Sequence, residues 1–269
     1  MDKMRIGNRD FDFKRKYIMG ILNVTPDSFS DGGKFVGFDK AVEHGIKLFH
    51  HGADILDIGG ESTRPENVPI SSEEEMERII KVIEKLKREI DIPISVDTYK
   101  HDVAEEAIKS GACFVNDVWG FKKDKNMAHI VKKYDVPCCL MHNRENRNYN
   151  DFIKDCLNDL KGSIQIAIDA GISRDKVMID PGIGFAKDFD ENIIVLKNLQ
   201  SFCELGYPVI LGTSRKRFLG KLLNIDKASD RTIGSVASSI IGIMKGCCMV
   251  RVHDVLEHKQ AIKVYEAIK

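Results

Sequence analysis

The sequence predicts one α/β domain over residues 1–269, a single (β/α)8 TIM barrel with its working surface at the C-terminal face of the strands. Three observations predict it. Short apolar, β-rich runs alternate eight times with longer amphipathic runs, the signature of parallel strands covered by helices. No linker, low-complexity tract or charge block interrupts the series, and eight strand–helix units in about 250 residues are what one barrel requires. Chemically capable polar residues collect at one end of the strands and not at the other. A doubly wound open sheet is the competing layout, but it uses fewer strands in such a span, and no G-x-G-x-x-G follows the first strand.

Each element has a local reason. Strands are expected near 17–23, 54–58, 93–97, 113–116, 136–141, 176–180, 208–212 and 248–252. Helix patterns lie between them, near 38–51, 72–90, 100–110, 125–134, 150–171, 190–200, 231–245 and 254–268. The run SSEEEMERIIKVIEKLKREI shows the logic. Serines cap its free N–H groups, glutamates follow at the positive end of the helix dipole, and Met76, Ile79, Ile80, Ile83, Leu86 and Ile90 form one apolar face. Gly52, Gly111 and Gly171, with Pro93, Pro137 and Pro208, stand where helices should stop.

Bulk properties exclude several classes. Forty-one basic and 41 acidic residues cancel, which argues against a nucleic-acid footprint or a membrane-steering surface. The first sixteen residues alternate charge and lack the apolar stretch of a signal peptide, and the least polar stretch, 233–250, is broken by serines, glycines and Lys245. Seven cysteines sit mostly in apolar segments without a C-x-x-C, so they read as packed, reduced thiols in the cytoplasm.

Position is the decisive feature. Asn23 ends the first strand, Asp57 the second, Asp97 and Thr98 the third, and Asn116 and Asp117 the fourth. Met141-His142-Asn143, Asp180-Pro181-Gly182, Gly212-Thr213-Ser214-Arg215-Lys216 and Arg251-Val252-His253-Asp254 end the remaining four. Any one of these is explained by helix capping or turn chemistry. Together, in a barrel, they meet on one rim.

That rim combines carboxylates and amides with cations and glycine-rich backbone. Cations and free N–H groups after the last two strands suit an anion such as phosphate. The carboxylates suit a flat, donor-rich heterocycle, because an aspartate accepts two parallel hydrogen bonds from an amino-amidine edge. GILNVTPDSFSDGG at 20–33 reads as a lid whose Asn23, Asp27, Ser28, Ser30 and Asp31 offer hard oxygens to magnesium and a polyphosphate, or else as an Asx/Pro turn network. The histidines lack zinc-ligand spacing, and neither a G-x-S-x-G elbow nor a Walker loop occurs.

In order along residues 20–255, GILNVTPDSFSDGG, GADILDIGGESTRP, ISVDT, NDVWG, IDPGIGFAK, GTSRKRFLG and RVHDV closely resemble dihydropteroate synthases. The resemblance implies condensation of 6-hydroxymethyl-7,8-dihydropterin diphosphate with p-aminobenzoate to give 7,8-dihydropteroate and diphosphate. It places Asp97, Asn116, Asp180, Lys216 and Arg251 around the pterin, and Asn23, Arg64, Arg251 and His253 at the diphosphate. Thr63, Arg64, Pro65, Lys216 and Arg217 fall to p-aminobenzoate, with Asn23 linked to a magnesium cofactor. Catalytic roles fall to Asp97, Lys216, Asp31 and Arg64.

It further implies a homodimer through barrel helices and sulfonamides as inhibitors. A noncatalytic pterin-binding paralogue would show erosion in the 20–33 and 59–65 loops, and both are intact. A folate-binding methyltransferase would have no need for TPDSFSDGG or the diphosphate cluster. Two departures stand out. Arg217 occupies a place where the family often has serine, and Met141-His142-Asn143-Arg144-Glu145 replaces Met-His-Met-Gln-Gly.

Overall fold

The computed structural model describes residues 3–25, 33–62 and 68–269, and within 33–36 the backbone alone. A short antiparallel pair, β1 (Lys3–Ile6) and β2 (Arg9–Asp12), comes first. Eight parallel strands follow: β3 (Tyr17–Asn23), β4 (Ile55–Gly59), β5 (Ile94–Asp97), β6 (Phe114–Asp117), β7 (Cys138–Met141), β8 (Val177–Asp180), β9 (Ile210–Leu211) and β10 (Met249–Val252). They lie in the order β8-β7-β6-β5-β4-β3-β10-β9, and a parallel bridge between Ile179 and Val209 brings the two edges together into a barrel.

Among the described residues, ten α-helices accompany these strands: α1 (Gly33–His50), α2 (Ser72–Glu89), α3 (His101–Lys109), α4 (Met127–Tyr134), α5 (Phe152–Asp169), α6 (Phe189–Lys197), α7 (Leu199–Cys203), α8 (Arg217–Leu223), α9 (Thr232–Met244) and α10 (Val255–Ile268). The expected caps are present. Ser71 accepts from the Glu74 N–H at the start of α2, and Asp188 and Glu191 form a reciprocal capping box on α6.

Strand alternation divides the core in two. Ile18, Leu22, Leu56, Ile58, Val96, Val115, Leu140, Ile179 and Val250 point outward and pack under the helices. Tyr17, Met19, Ile55, Phe114, Cys139, Met178, Ile210 and Met249 point inward and fill the lower barrel. One step of two residues further along the same strands, the inward positions are Asp57, Asp97, Asn116, Asp180 and Arg251. The barrel axis is therefore apolar at its base and polar at its mouth.

Several boundaries differ from the sequence reading. The β1–β2 pair lay hidden under charge: Met4, Ile6 and Phe11 join the inner cluster and plug the base of the barrel, while the residues between them face solvent. Its signal was the Gly7-Asn8 turn, a hairpin dipeptide with Gly7 at φ 59°. The expected helix over 190–200 is two, because the backbone leaves helical geometry at Asn198, with φ −108° and ψ 22°; its N–H is shared between the Ile194 and Val195 carbonyls, and its side chain adds a bond to Ile194 at 2.8 Å. The strand expected over 208–212 shrinks to β9, since Pro208 has no N–H and contributes only its carbonyl, to the Ile179 N–H at 3.0 Å. α8, only seven residues long, has too few turns to show a period.

Candidate active site

The inward-pointing strand ends converge. Arg251 on β10 donates from Nε to Asp57 Oδ2 on β4 at 2.5 Å, and from Nη2 to Asp97 Oδ2 on β5 at 2.5 Å. Asp57 also accepts from Ser95 Oγ at 2.5 Å and from Asn116 Nδ2 at 3.0 Å. Its carboxylate is thus satisfied on every side and fixes Asn116 and Arg251. Asp97 is less complete: its Oδ1 is buried and has no donor among the described residues. Burial pushes the Asp97 carboxyl above the usual range, with Arg251 opposing and Asp57 reinforcing the rise. Burial also works against the Arg251 charge, but Asp57 and Asp97 outweigh it and hold the guanidinium firmly protonated.

Across the mouth, Asp180 ends β8 and accepts from the Gly182 N–H at 2.7 Å through Oδ1. Burial raises its pKa, opposed by Lys216, the Gly182 N–H and Arg251. Lys216 comes from the β9–α8 connection, donates to the Ile183 carbonyl and lies 4.8 Å from the centre of the Phe185 ring. Gly212, which ends the β9 strand path, lies beside both groups: an added Cβ there would sit in ordinary contact with them, 3.6 Å from Asp180 Oδ2 and 3.8 Å from Lys216 Nζ. Burial lowers the Lys216 pKa to about 8, with Asp180 opposing.

The cationic side of the rim is more divided than the sequence reading has it. His253 bonds Ser214 through Nδ1 at 3.0 Å and through its backbone N–H at 3.1 Å, tying the ends of the β9 and β10 paths together. Arg215, expected among the anion-binding cations, is instead held by Asp254, with Nε 3.0 Å from Oδ2. Arg217 is exposed at the start of α8, one residue beyond Lys216. Asn23 is half-buried at the end of β3, paired in register with Gly59. Asp31, Thr63, Arg64 and Pro65, together with Asp27, Ser28 and Ser30, lie outside the described residues.

Two buried groups matter that motif reading did not assign to the site. Asp57 was visible only as a strand-end carboxylate; its role in clamping Arg251 and Asn116 depends on strands brought together by the barrel. Glu61, from GESTRP, accepts from Lys100 at 2.6 Å and from Tyr99 at 3.1 Å, and Lys100 also reaches Glu75 at 2.7 Å. This network ties Glu61, just past the end of β4, to α2 and to the residues ahead of α3.

Comparison with known proteins follows the same lines. The sequence matches the pterin binding enzyme family over residues 19–253. It is 53% identical over 267 residues to the dihydropteroate synthase of Clostridium beijerinckii, covering 98% of this chain and 99% of that one. The fold matches a dihydropteroate synthase of Clostridium difficile crystallised in the presence of pteroic acid, with TM-score 0.92 and 52% identity over 95% of this chain and 97% of that one. It also matches the Xanthomonas albilineans enzyme with 4-aminobenzoic acid, with TM-score 0.95 and 40% identity over 99% of this chain and 98% of that one. With eight parallel strands, a polar mouth and this degree of likeness along nearly its whole length, the chain belongs to the dihydropteroate synthase family of pterin-binding enzymes.

Proposed function

We propose that the chain joins 6-hydroxymethyl-7,8-dihydropterin diphosphate to p-aminobenzoate and releases diphosphate, with Asp97, Asn116, Asp180 and Lys216 around the pterin. One observation carries the site assignment: Asp97 Oδ1 is a buried acceptor without a donor among the described residues. Such an atom is costly unless a ligand supplies an N–H. Asp180, across the mouth, accepts from the amino-pyrimidine edge, and Lys216 donates to the ring carbonyl. Arg251 must release Asp97 when the pterin arrives. It keeps Asp57 as its anchor, stacks its planar guanidinium on the ring and turns its charge toward the diphosphate.

The chemistry follows from charge and placement. As the C–O bond to diphosphate opens, the electron-rich dihydropterin carries positive charge toward its methylene, and the Asp97 carboxylate stabilises it in a site closed to water. Arg251 and His253, with Asn23 beside them, receive the developing negative charge on diphosphate. The arylamine needs no strong base, because its nitrogen is unprotonated and nucleophilic at neutral pH. Lys216 and Arg217 direct its carboxylate outward. Thr63, Arg64 and Pro65 would complete that side, and Asp31 with Arg64 would take part in catalysis. Holding both reactants in line contributes on the order of 7–11 kcal/mol.

Magnesium fits the donors at this rim. Among the described residues no group of three or more His, Cys, Asp or Glu forms a metal cage. Asn23 offers a single hard oxygen at the rim, which is what an ion that keeps several waters and bridges to a polyphosphate requires. Bound through Asn23 and the substrate, magnesium would neutralise the leaving group.

The same reading includes a homodimer and a cytoplasmic setting. Exposed large apolar residues concentrate on the last three helices: Leu222 and Leu223 on α8, Ile233, Ile241 and Met244 on α9, and Leu256, Val264 and Ile268 on α10. A groove of about 520 Å³ runs between Ile240, Met244, Val264, Tyr265 and Ile268. A second copy covers this face by the symmetric pairing that oligomers favour. All seven cysteines are free thiols, in keeping with a reducing compartment, and no described helix is long and apolar enough to cross a membrane.

Diphosphate release, measured with the pterin diphosphate and magnesium in the presence and absence of p-aminobenzoate, tests the proposal. Arylamine-dependent release, lost on chelation of magnesium, is expected. Pterin binding without turnover would overturn it.

A further inference from the structure

Behind the Asp180 turn lies a buried lysine that the scheme above does not use; burial lowers its pKa to about 7, so it carries its full charge below neutral pH. Lys187, the last residue of DPGIGFAK, is 9% exposed. Its ammonium donates to three acceptors: the carbonyl oxygens of Gly182 at 2.9 Å and Phe185 at 3.0 Å, and His142 Nδ1 at 2.7 Å. His142 is fully buried, and burial pushes its pKa down to about 4, so the ring is neutral. With Nδ1 accepting from Lys187, the ring proton sits on Nε2 and is donated to Asp159 Oδ2 at 3.0 Å. Arg144 grips the same carboxylate through Nε and, at 3.3 Å, through Nη2. A string of partners, Arg144, Asp159, His142 and Lys187, thus runs from the partly exposed rim to the back of the 182–185 turn.

The front of that turn organises both Asp180 and Lys216. The Gly182 N–H holds Asp180 Oδ1 at 2.7 Å, and the Ile183 carbonyl accepts from Lys216. Gly182 and Phe185, the two residues whose carbonyls Lys187 holds, bracket Ile183 in the chain. Nor can the turn slide on its support, because an added Cβ at Gly182 would lie 2.0 Å from the His142 carbonyl oxygen.

We infer that Lys187 is a positioning residue: by fixing the Gly182 and Phe185 carbonyls from behind, it sets the placement of the Asp180 carboxylate relative to the Lys216 ammonium, and through it the affinity for the pterin. The inference rests on the pterin assignment of Asp180 proposed above. Without the ammonium, two buried carbonyls and one ring nitrogen lose their donor, and the turn relaxes to find others. Lys216 also faces the arylamine in the scheme above, but the turn reaches it through the Ile183 carbonyl alone, whereas Asp180 faces the pterin only, so the pterin side bears most of the effect.

The test measures kcat and KM for each substrate in Lys187→Met, Lys187→Gln and Asp180→Asn, with thermal unfolding alongside. In Lys187→Met the KM for the pterin diphosphate rises roughly tenfold, the scale of one or two lost hydrogen bonds, while kcat and the KM for p-aminobenzoate change by a clearly smaller factor. Lys187→Gln keeps two N–H donors without the charge and recovers part of that loss. A merely structural lysine would lower the unfolding temperature and leave the pterin KM of the folded protein unchanged, and that result overturns the inference. Where Lys187→Met does not fold, Asp159→Asn, at the outer end of the string, takes its place; a pterin KM raised roughly threefold is expected, and an unchanged value overturns it. Asp180→Asn separates the two readings. If it leaves pterin affinity intact, the pterin assignment itself fails; if it weakens affinity while Lys187→Met does not, only the positioning role fails.

Discussion

Arg251 and Asp97 meet across the barrel mouth at 2.5 Å although they stand 154 positions apart in the chain. The same guanidinium holds Asp57 at 2.5 Å, so one cation balances two buried carboxylates. Neither carboxylate would tolerate that depth unpaired.

Removing the cation should therefore cost more at high pH than at low. Asp97 has its native pKa raised by burial, so the folded protein holds that proton more tightly than the unfolded chain does. Stability from this group is present below the ordinary carboxylate pKa and declines as pH rises toward the native value. Arg251→Gln raises that value further. We expect a loss of about 3–5 kcal/mol near pH 8 and a clearly smaller one near pH 5, where Asp97 is protonated in the folded state. Urea unfolding at both pH values checks this, and equal losses would contradict it.

The ionisation of the site also shapes its pH profile. Asp97 must be a carboxylate to accept from the pterin, and its raised pKa moves the acid limb of kcat/KM for the pterin diphosphate above the usual carboxylate range. Lys216 must be charged, and burial lowers its pKa to about 8. A bell with an alkaline limb near that value is expected, since kcat/KM reports the free enzyme. Lys216→Met should lower kcat/KM roughly 10- to 100-fold and abolish the alkaline limb without unfolding the protein. A limb that persists in this variant would reassign it.

Gly182 has no room for a side chain. Its φ is 70°, and a Cβ would lie 2.0 Å from the His142 carbonyl oxygen. Gly182→Ala should lose at least about 2 kcal/mol from the left-handed conformation and the clash together. Pterin affinity should fall with it, because the Gly182 N–H orients Asp180. Thermal unfolding together with equilibrium titration of a pterin reads both effects.

The apolar face of α9 and α10 gives a separate expectation. Met244 and Val264 are 69% and 59% exposed, so charge there costs the folded monomer little. Met244→Glu with Val264→Glu should turn a dimer into a monomer in sedimentation velocity, at unchanged helical content. A dimer that survives both changes places the interface elsewhere.

Much of this fold was legible in the chain. α2 announced itself through Ser71, its glutamates and a repeating Ile79, Ile83, Leu86 face, to which the structure adds Val82, and the polar residues of the mouth were marked by their place at the strand ends. The β1–β2 plug was not, because Met4, Ile6 and Phe11 are spaced among charges and read as apolar only once the barrel base covers them. The break at Asn198 was not either, because it lies in the backbone angles of one residue, which no hydrophobic period records.

By itself, the sequence determined which residues stand at the ends of parallel strands, and hence that Asp97, Asn116, Asp180, Lys216 and Arg251 share one rim. It did so because side-chain direction along a strand is a local property, set by backbone geometry alone. Only the tertiary structure decided how those groups pair: that Arg251 lies on Asp57 and Asp97, that Arg215 is committed to Asp254, and that Lys187 reaches His142. A buried charge takes its partner from whatever other strands and loops bring within hydrogen-bond reach, and that neighbour is fixed by barrel closure, not by distance along the chain.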